Sequence, residues 1–433
     1  MKLFIEAAQK MESEAVALRR DLHKHPELAF CEYRTASKII RRLQALGYDV
    51  AYGAAVMDKT AILSLPTEAE MAAARARACA EGADEALVAE LAGGMTGVVA
   101  TLKGNKPGKT VAFRFDMDCN DVNESADKAH RPAAEGFASL HEHQMHACGH
   151  DGHVTIGLVL AALLAERRAE LCGTVKLIFQ PAEEGVRGAA PMVAAGVVDD
   201  VDYFFGGHLG INAKDSNMLV SSTGGFLAVA KYAVHFTGKS SHAGLAPHQG
   251  KNALLAAAQA TLALHAITRH GKGASRINVG VLQAGTGINV IADSALLQFE
   301  VRGETTEINT YMCEEAERIL RAAAAMYDVG VEIEKKGMAN SFEPDADFAA
   351  ELTALADQTG LYSTVTPLGS LDASEDCTAF LSRVQERGGK ASYMLFGTKL
   401  AAVHHNGYFD FDESVLTRSA AWLACLAMHY TAK

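Results

Sequence analysis

At 433 residues the chain exceeds the length at which a single hydrophobic core keeps growing, so two domains are expected. With 49% hydrophobic and 21% charged residues it has the composition of a soluble globular protein. A net charge of −12 leaves no basic field for phosphates and argues against nucleic acid as a partner. An anionic small substrate stays admissible, because clustered metal ions outweigh a distant field.

The first residues are charged and amphipathic, without the apolar segment and small-residue cleavage site of a signal peptide. Residues 10–47 carry helical apolar spacing and predict an opening helix or pair of helices. Residues 67–92, rich in Ala and Glu, read as an exposed helical insertion ended by Gly93 and Gly94. The longest strongly apolar stretch, 156–165, is too short to span a bilayer and reads as a buried helix, so no membrane partner is expected. Eight cysteines without a C-x-x-C pair suggest reduced thiols and a cytoplasmic setting.

Four strand-like runs share one feature. Residues 110–115 run into Asp116-Met-Asp118, and 174–179 run into Gln180-Pro-Ala-Glu183-Glu184. Residues 201–205 run into Gly206-Gly-His208, and 391–396 are followed after a short loop by His404-His405. In a parallel α/β sheet ligands collect beyond the carboxyl ends of the strands, so these polar tails should converge. Between 225 and 337 the pattern changes to strand, helix, two strands, helix, strand, which is the ferredoxin-like split unit. Strand-and-ligand patterns resume after it. The expected domains are therefore 1–224 with 338–433, carrying the metal site, and an inserted domain over 225–337.

A two-metal hydrolytic site needs ligands for both ions, a group bridging them and a general base near the water. Cys148 and His150 flank a glycine just before a helix expected to begin near His153, and thiolate and imidazole both suit zinc-like ions. Alone, the histidine-rich stretch that also holds His141, His143 and His146 reads equally well as a solvated loop. Beside Glu183-Glu184 and two further strand-end histidines, the metal reading gains. Glu183 and Glu184 repel unless something positive or water fixes them, and one binding metal while the other polarises water is the economical arrangement. His208 is individually weak, and His404 and His405 remain ambiguous between each other.

The motifs DMD, HACGHDGH, QPAEEG, HLG, SSHAGLAP, INVIAD and HHN, in this order, resemble the aminoacylase and carboxypeptidase superfamily of co-catalytic metallopeptidases. More narrowly they are similar to its branch of hippurate hydrolases and auxin-conjugate amidohydrolases. The resemblance covers nearly the whole chain. It implies a zinc-peptidase-like mixed α/β sheet flanked by helices, with an inserted ferredoxin-like α+β domain that acts as lid and dimerisation surface. It implies two divalent ions, zinc or manganese, with Cys148 bridging and His150, Glu184, His208 and His405 as further ligands. The Tyr408-Phe409 pair selects His405 over His404. Glu183 would be the general base, and Asp116 and Asp118 carboxylates that orient a histidine. From the inserted domain, His242 would stabilise the oxyanion, and Asn289 and Arg302 would bind substrate.

The resemblance further implies cleavage of an acyl or aryl amide of an amino acid. p-Aminobenzoyl-glutamate is favoured, and indole-3-acetyl-aspartate or another N-acyl amino acid is the alternative. The protein would pair with itself or with a related subunit through the inserted domain. Two departures bear on the substrate pocket: CNDVNE follows Asp118 in place of a Leu-Pro sequence, and HNG stands in place of HSP. Ser374-Glu375-Asp376 matches a family loop and also reads as a plain helix cap. Rival readings are a catalytically silent metal-binding protein on this fold and a redox protein using Cys148.

Overall fold

The four apolar runs with polar tails form neighbouring parallel strands in the computed structural model, which describes residues 2–433. Six strands come first: β1 (Asp49–Tyr52), β2 (Val98–Lys103), β3 (Lys106–Asp116), β4 (Cys172–Gln180), β5 (Tyr203–Leu209) and β6 (Met218–Val220). The short β7 (Thr223–Gly224) precedes β8 (Ala228–Thr237), β9 (Ser275–Ala284), β10 (Ser294–Gly303) and β11 (Gly330–Ala339). The last three are β12 (Thr364–Thr366), β13 (Gly369–Ser370) and β14 (Lys390–Phe396).

The chain divides into two units. The first holds the chain up to Gly224, Phe342–Leu371 and Asp376–Lys433; the second holds Gly225–Ser341 and Asp372–Glu375. The second unit thus ends later than residue 337, because β11 runs two residues past that bound, to Ala339.

The sheet of the first unit has the order β1-β2-β4-β3-β5-β14-β6-β12. Its centre, β4-β3-β5-β14, is parallel, whereas β1, β2 and β6 each pair antiparallel with a neighbour, so the sheet is mixed. Asp116 lies opposite Gln180, and His208 opposite Leu395, so the carboxyl ends of the central strands emerge along one edge.

Behind that edge lies the helix His150–Glu166, buried without a break from His150 to Leu164. A helix apolar on every side is stable only inside a core. Each of its fully buried leucines contributes about 1.5–3 kcal/mol. Beside it packs the helix Val415–Thr431, with Trp422 fully buried. The helix starts at His150, three residues before the expected point, because Gly149 adopts φ +89° and turns the chain there.

Residues 67–92 form two helices, Glu68–Ala80 and Glu85–Glu90, and not one exposed segment. Thr67 and Glu70 make a capping box at the first, and Asp84 caps the second. Met71, Ala74, Ala78, Leu87 and Val88 are buried, so one stripe of this Ala-rich stretch joins the core. Small residues let the helices lie close to it, which is why the stretch lacked the bulky periodicity of a packed helix.

The second unit orders its strands β11-β8-β10-β9, all antiparallel, which is the ferredoxin-like arrangement. The helices Ala253–His265 and Thr306–Met326 cover one face, burying Tyr232, Val234, Phe236, Leu297, Phe299 and Val301 against alanines and leucines. Among the described residues no helix is long and apolar enough to cross a membrane.

Helix and sheet meet closely at Gly157, where a Cβ would stand 2.7 Å from the Phe115 ring. Gly157→Val should therefore cost about 1–3 kcal/mol by overpacking. Denaturant unfolding measures this, and a variant as stable as the parent would show that the contact is slack.

Candidate metal centre

Each strand tail delivers one or two polar side chains, and the loops between them set the aim. His150 stands in the first turn of its helix, and its ring is held by Nδ1–H donating to the Asp118 carbonyl at 2.8 Å. That leaves Nε2 as the outward donor atom. His208 is held likewise, Nδ1–H donating to the Leu209 carbonyl at 2.8 Å, so its Nε2 reaches to 3.3 Å from Cys148 Sγ. His405 Nε2 lies 3.3 Å from Glu184 Oε2, and the His405 amide is tied to the Ala147 carbonyl at 2.8 Å. His404 instead donates Nε2–H to the Leu209 carbonyl at 3.2 Å and packs on Phe409.

The Glu183-Glu184 loop has a different device. The amides of Glu183 and Glu184 donate to Asp118 Oδ1 and Oδ2, both at 3.0 Å. The Ala182 amide donates to Glu32 Oε1 at 2.9 Å. Ala182 and Val186 take φ of +55° and +53°, and His405 takes +62°. Non-glycine residues in this region cost about 1–3 kcal/mol each and persist only where surroundings fix them.

Two donor triads result, each with all ligand atoms within 4.8 Å of one another: Cys148, His150 and His208, and Cys148, Glu184 and His405. Cys148 belongs to both. A further set joins His150 with Glu183 and Glu184, and His150 Nε2 lies 3.8 Å from both carboxylates.

These residues fit a pair of divalent cations. His150 Nε2 and Glu184 Oε1 are buried with no hydrogen-bond partner, an expensive condition unless something positive sits between them. Burial, with the charges of Glu184, Glu183 and Asp116, holds the Cys148 thiol well above its ordinary range, so a thiolate there requires an adjacent cation. Burial works against a charged His150, yet Asp116, Asp118 and Glu184 raise it to about 10. Burial works against a charged Glu184 too, but His405 and His150 bring it down to about 2. The cluster thus demands positive charge at its centre. His208 is pushed far down by burial and by the neighbouring His153 and His404, which keeps its lone pair available.

Other polar residues hold the frame. The Leu209 amide donates to His153 Nε2 at 3.0 Å, which places the His153 proton on Nδ1, facing Asp116 Oδ1 at 2.5 Å. Both nitrogens of His153 are committed, so it is not a ligand. The Asp116 carboxylate orients His153, whereas Asp118 orients His150 through its backbone carbonyl and spends its carboxylate on the Glu183 and Glu184 amides. Fully buried Arg114 donates to Asp116, Gln180 and Asp376. Asp376 also accepts from the Gly188 and Ala189 amides, capping the helix Ala189–Ala194. Sequence reasoning missed Arg114, Gln180 and Glu32, and left Asp376 without a role. An arginine within an apolar strand was the available signal. The first turn of the His150 helix is anchored by Asp151 to buried Arg19 at 2.8 Å.

The remaining expected residues lie in the second unit. His242 is exposed, and its Nδ1 accepts from the Gly244 and Leu245 amides at 3.1 Å each, so its proton is on Nε2. Asn289 is exposed, and its carbonyl accepts from the Ala243 amide. Arg302, on β10, makes a two-point pair with Glu300 at 2.8 and 3.2 Å.

Comparison with known proteins places these observations. Residues 112–429 match the family described as Peptidase family M20/M25/M40. The chain is 47% identical over 431 residues to an indole-3-acetyl-aspartic acid hydrolase of Enterobacter agglomerans, covering 99% of each. It is 47% identical over 413 residues to a p-aminobenzoyl-glutamate hydrolase subunit of Escherichia coli (strain K12), covering 95% of this chain and 94% of the other. Among solved structures, an aminobenzoyl-glutamate utilization protein from Klebsiella pneumoniae matches with a TM-score of 0.83 at 42% identity, over 98% of this chain and 97% of that one. A dinuclear metal binding peptidase of the M20 family from Bacillus subtilis matches with a TM-score of 0.67 at 27% identity, over 98% and 99%.

Because the Asp118 carboxylate fixes the Glu183-Glu184 backbone, Asp118→Ala should lower metal affinity by about 10- to 100-fold, although its carbonyl still holds His150. Competition against a chelating dye measures this, with the folded state checked by thermal melting. Undiminished affinity would remove Asp118 from the role.

Proposed function

The chain belongs to peptidase family M20/M25/M40, and on that premise we propose that it hydrolyses the amide bond of p-aminobenzoyl-glutamate, releasing p-aminobenzoate and glutamate. The observation that carries the chemistry is Cys148 shared between two donor triads, with Glu183 Oε2 beside them, 3.8 Å from His150 Nε2. Cys148 would bridge, and His150, Glu184, His208 and His405 would complete the ligand set. Zinc suits this set of thiolate, imidazole and carboxylate, and manganese is also admitted. Divalent ions held there supply Lewis acidity to the scissile carbonyl and to the attacking water.

Glu183 takes a proton from the water as the oxygen adds to the carbonyl carbon, then passes it to the departing amide nitrogen as the C–N bond breaks. His242, with its proton on Nε2, donates to the oxyanion. Asn289 and Arg302 hold the substrate, Arg302 exchanging Glu300 for the substrate's carboxylate. Pairing with a second copy or a related subunit would use the second unit, whose exposed Leu254, Leu255, Leu262 and Ile288 support an interface. The absence of a C-x-x-C pair among eight cysteines favours the cytoplasm.

A second reading, hydrolysis of indole-3-acetyl-aspartate, is favoured by the 47% identity to the Enterobacter enzyme over almost the whole chain. Turnover of p-aminobenzoyl-glutamate, indole-3-acetyl-aspartate and hippurate after zinc or manganese loading separates the two, and cleavage of hippurate alone would overturn both. Glu183→Gln should keep both metals and lower kcat by about 10²–10⁴-fold. Metal analysis beside steady-state kinetics checks this, and near-normal turnover would rule Glu183 out as the base.

A further inference from the structure

The sheet of the second unit has one face under helices and one face without them. On the helix-free face, β9 and β10 pair so that Arg276 stands directly opposite Arg302, and Asn278 directly opposite Glu300. On the other side of β10, Lys231 of β8 is also opposite Glu300. The alternation along β9 is consistent: Ile277 and Val279 pack on the helix side, while Arg276 and Asn278 are exposed. Directly opposed residues of an antiparallel pair bring their Cβ atoms to about 5 Å, and like charges there are unfavourable. Two opposed arginines, with a lysine diagonal to Arg302 on the next strand, therefore carry a local cost.

The single carboxylate in this group does not offset it. Both oxygens of Glu300 accept from Nε and Nη2 of Arg302, along its own strand. Arg276 has only a backbone acceptor, donating Nη1–H to the Ser275 carbonyl at 3.0 Å, and neither it nor Lys231 makes an ion pair among the described residues. Glu300 is thus committed to Arg302, and a further carboxylate on this face, Glu334 of β11 opposite Ala233, is paired with Lys336, which leaves Arg276 and Lys231 without an ion pair.

We propose that Arg276 is a specificity-determining residue, which, next to Arg302 and Lys231, binds the second carboxylate of an N-acyl dicarboxylic amino acid. Arg302 grips the carboxylate common to all N-acyl amino acids, and Arg276 grips the one that only an acidic amino acid carries. An N-acyl-glycine leaves Arg276 without an anion. This rests on the amide-hydrolase reading, in which Arg302 meets the substrate, and it adds what distinguishes an acidic amino acid from a neutral one.

The test compares p-aminobenzoyl-glutamate with hippurate by steady-state kinetics, and L-glutamate with glycine by calorimetry on the metal-loaded protein. Arg276→Ala should lower the glutamyl-over-glycyl ratio of kcat/KM by about 10- to 100-fold, chiefly through KM, and should lower the binding ratio similarly. Arg276→Lys should restore part of it. Arg302→Ala should weaken both members of each pair. A parent that does not prefer the acidic member, or a folded Arg276→Ala variant that keeps the parent's ratio or loses both substrates equally, would overturn the inference. Absence of amide hydrolysis by the parent would instead sink the functional reading, and the calorimetric ratio would still decide the role of Arg276.

Discussion

Two backbone amides donating to one carboxylate hold the metal centre together. Glu183 and Glu184 both place their N–H groups on Asp118, while the carbonyl of the same residue fixes the ring of His150. One residue at the end of β3 thereby sets the position of the loop after β4 and the tautomer of the first histidine in the buried helix. The loop could not keep this shape alone, because Ala182 and Val186 sit in left-handed backbone. Its conformation is over-determined by Asp118 on one side and Glu32 on the other. That is the kind of enforced geometry through which a fold stores strain at a functional site.

The electrostatics follow from that frame. Asp116, Asp118, Glu183 and Glu184 crowd around His150 within a buried volume. Neighbours neutralise part of this charge: Arg114 and His153 engage Asp116, and amides engage Asp118. What is left falls on His150 Nε2 and Glu184 Oε1, both buried and without a hydrogen-bond partner. A cluster that satisfies its outer atoms and leaves its inner ones bare is organised for a cation.

The second unit divides its work by face. Its apolar face, with Tyr232 stacked on Phe299 at 4.9 Å, supplies the stability of a split unit that buries two helices. The opposite face is free to carry charge, and there Arg302, Arg276, Lys231 and Glu300 share neighbouring register positions. A strand alternation of period two makes this possible, since each residue spent on the core leaves its neighbours on the opposite face.

Much of this was legible in the chain. The four strand tails, the inserted split unit and the candidates Cys148, His150, Glu184 and His208 could be picked out because each motif is local, a run of apolar residues and then a ligand type, whereas His405 was separated from His404 only by the family resemblance. Local signals fail where the partner is distant. Nothing in the chain showed that Asp116 and Asp118 would serve different histidines, that Asp376 would meet Arg114 across 262 positions, or that Arg302 would hold Glu300. The Ala-rich stretch read as exposed because small residues give little periodic contrast, although Met71 and Leu87 are buried. The HACGHDGH stretch by itself determined that a thiol and an imidazole would flank a helix start. Only the tertiary structure decided that Cys148 stands in both donor triads, since sharing one sulfur between two sets requires the ends of β3, β4 and β5 and the loop after β14 to meet at one point.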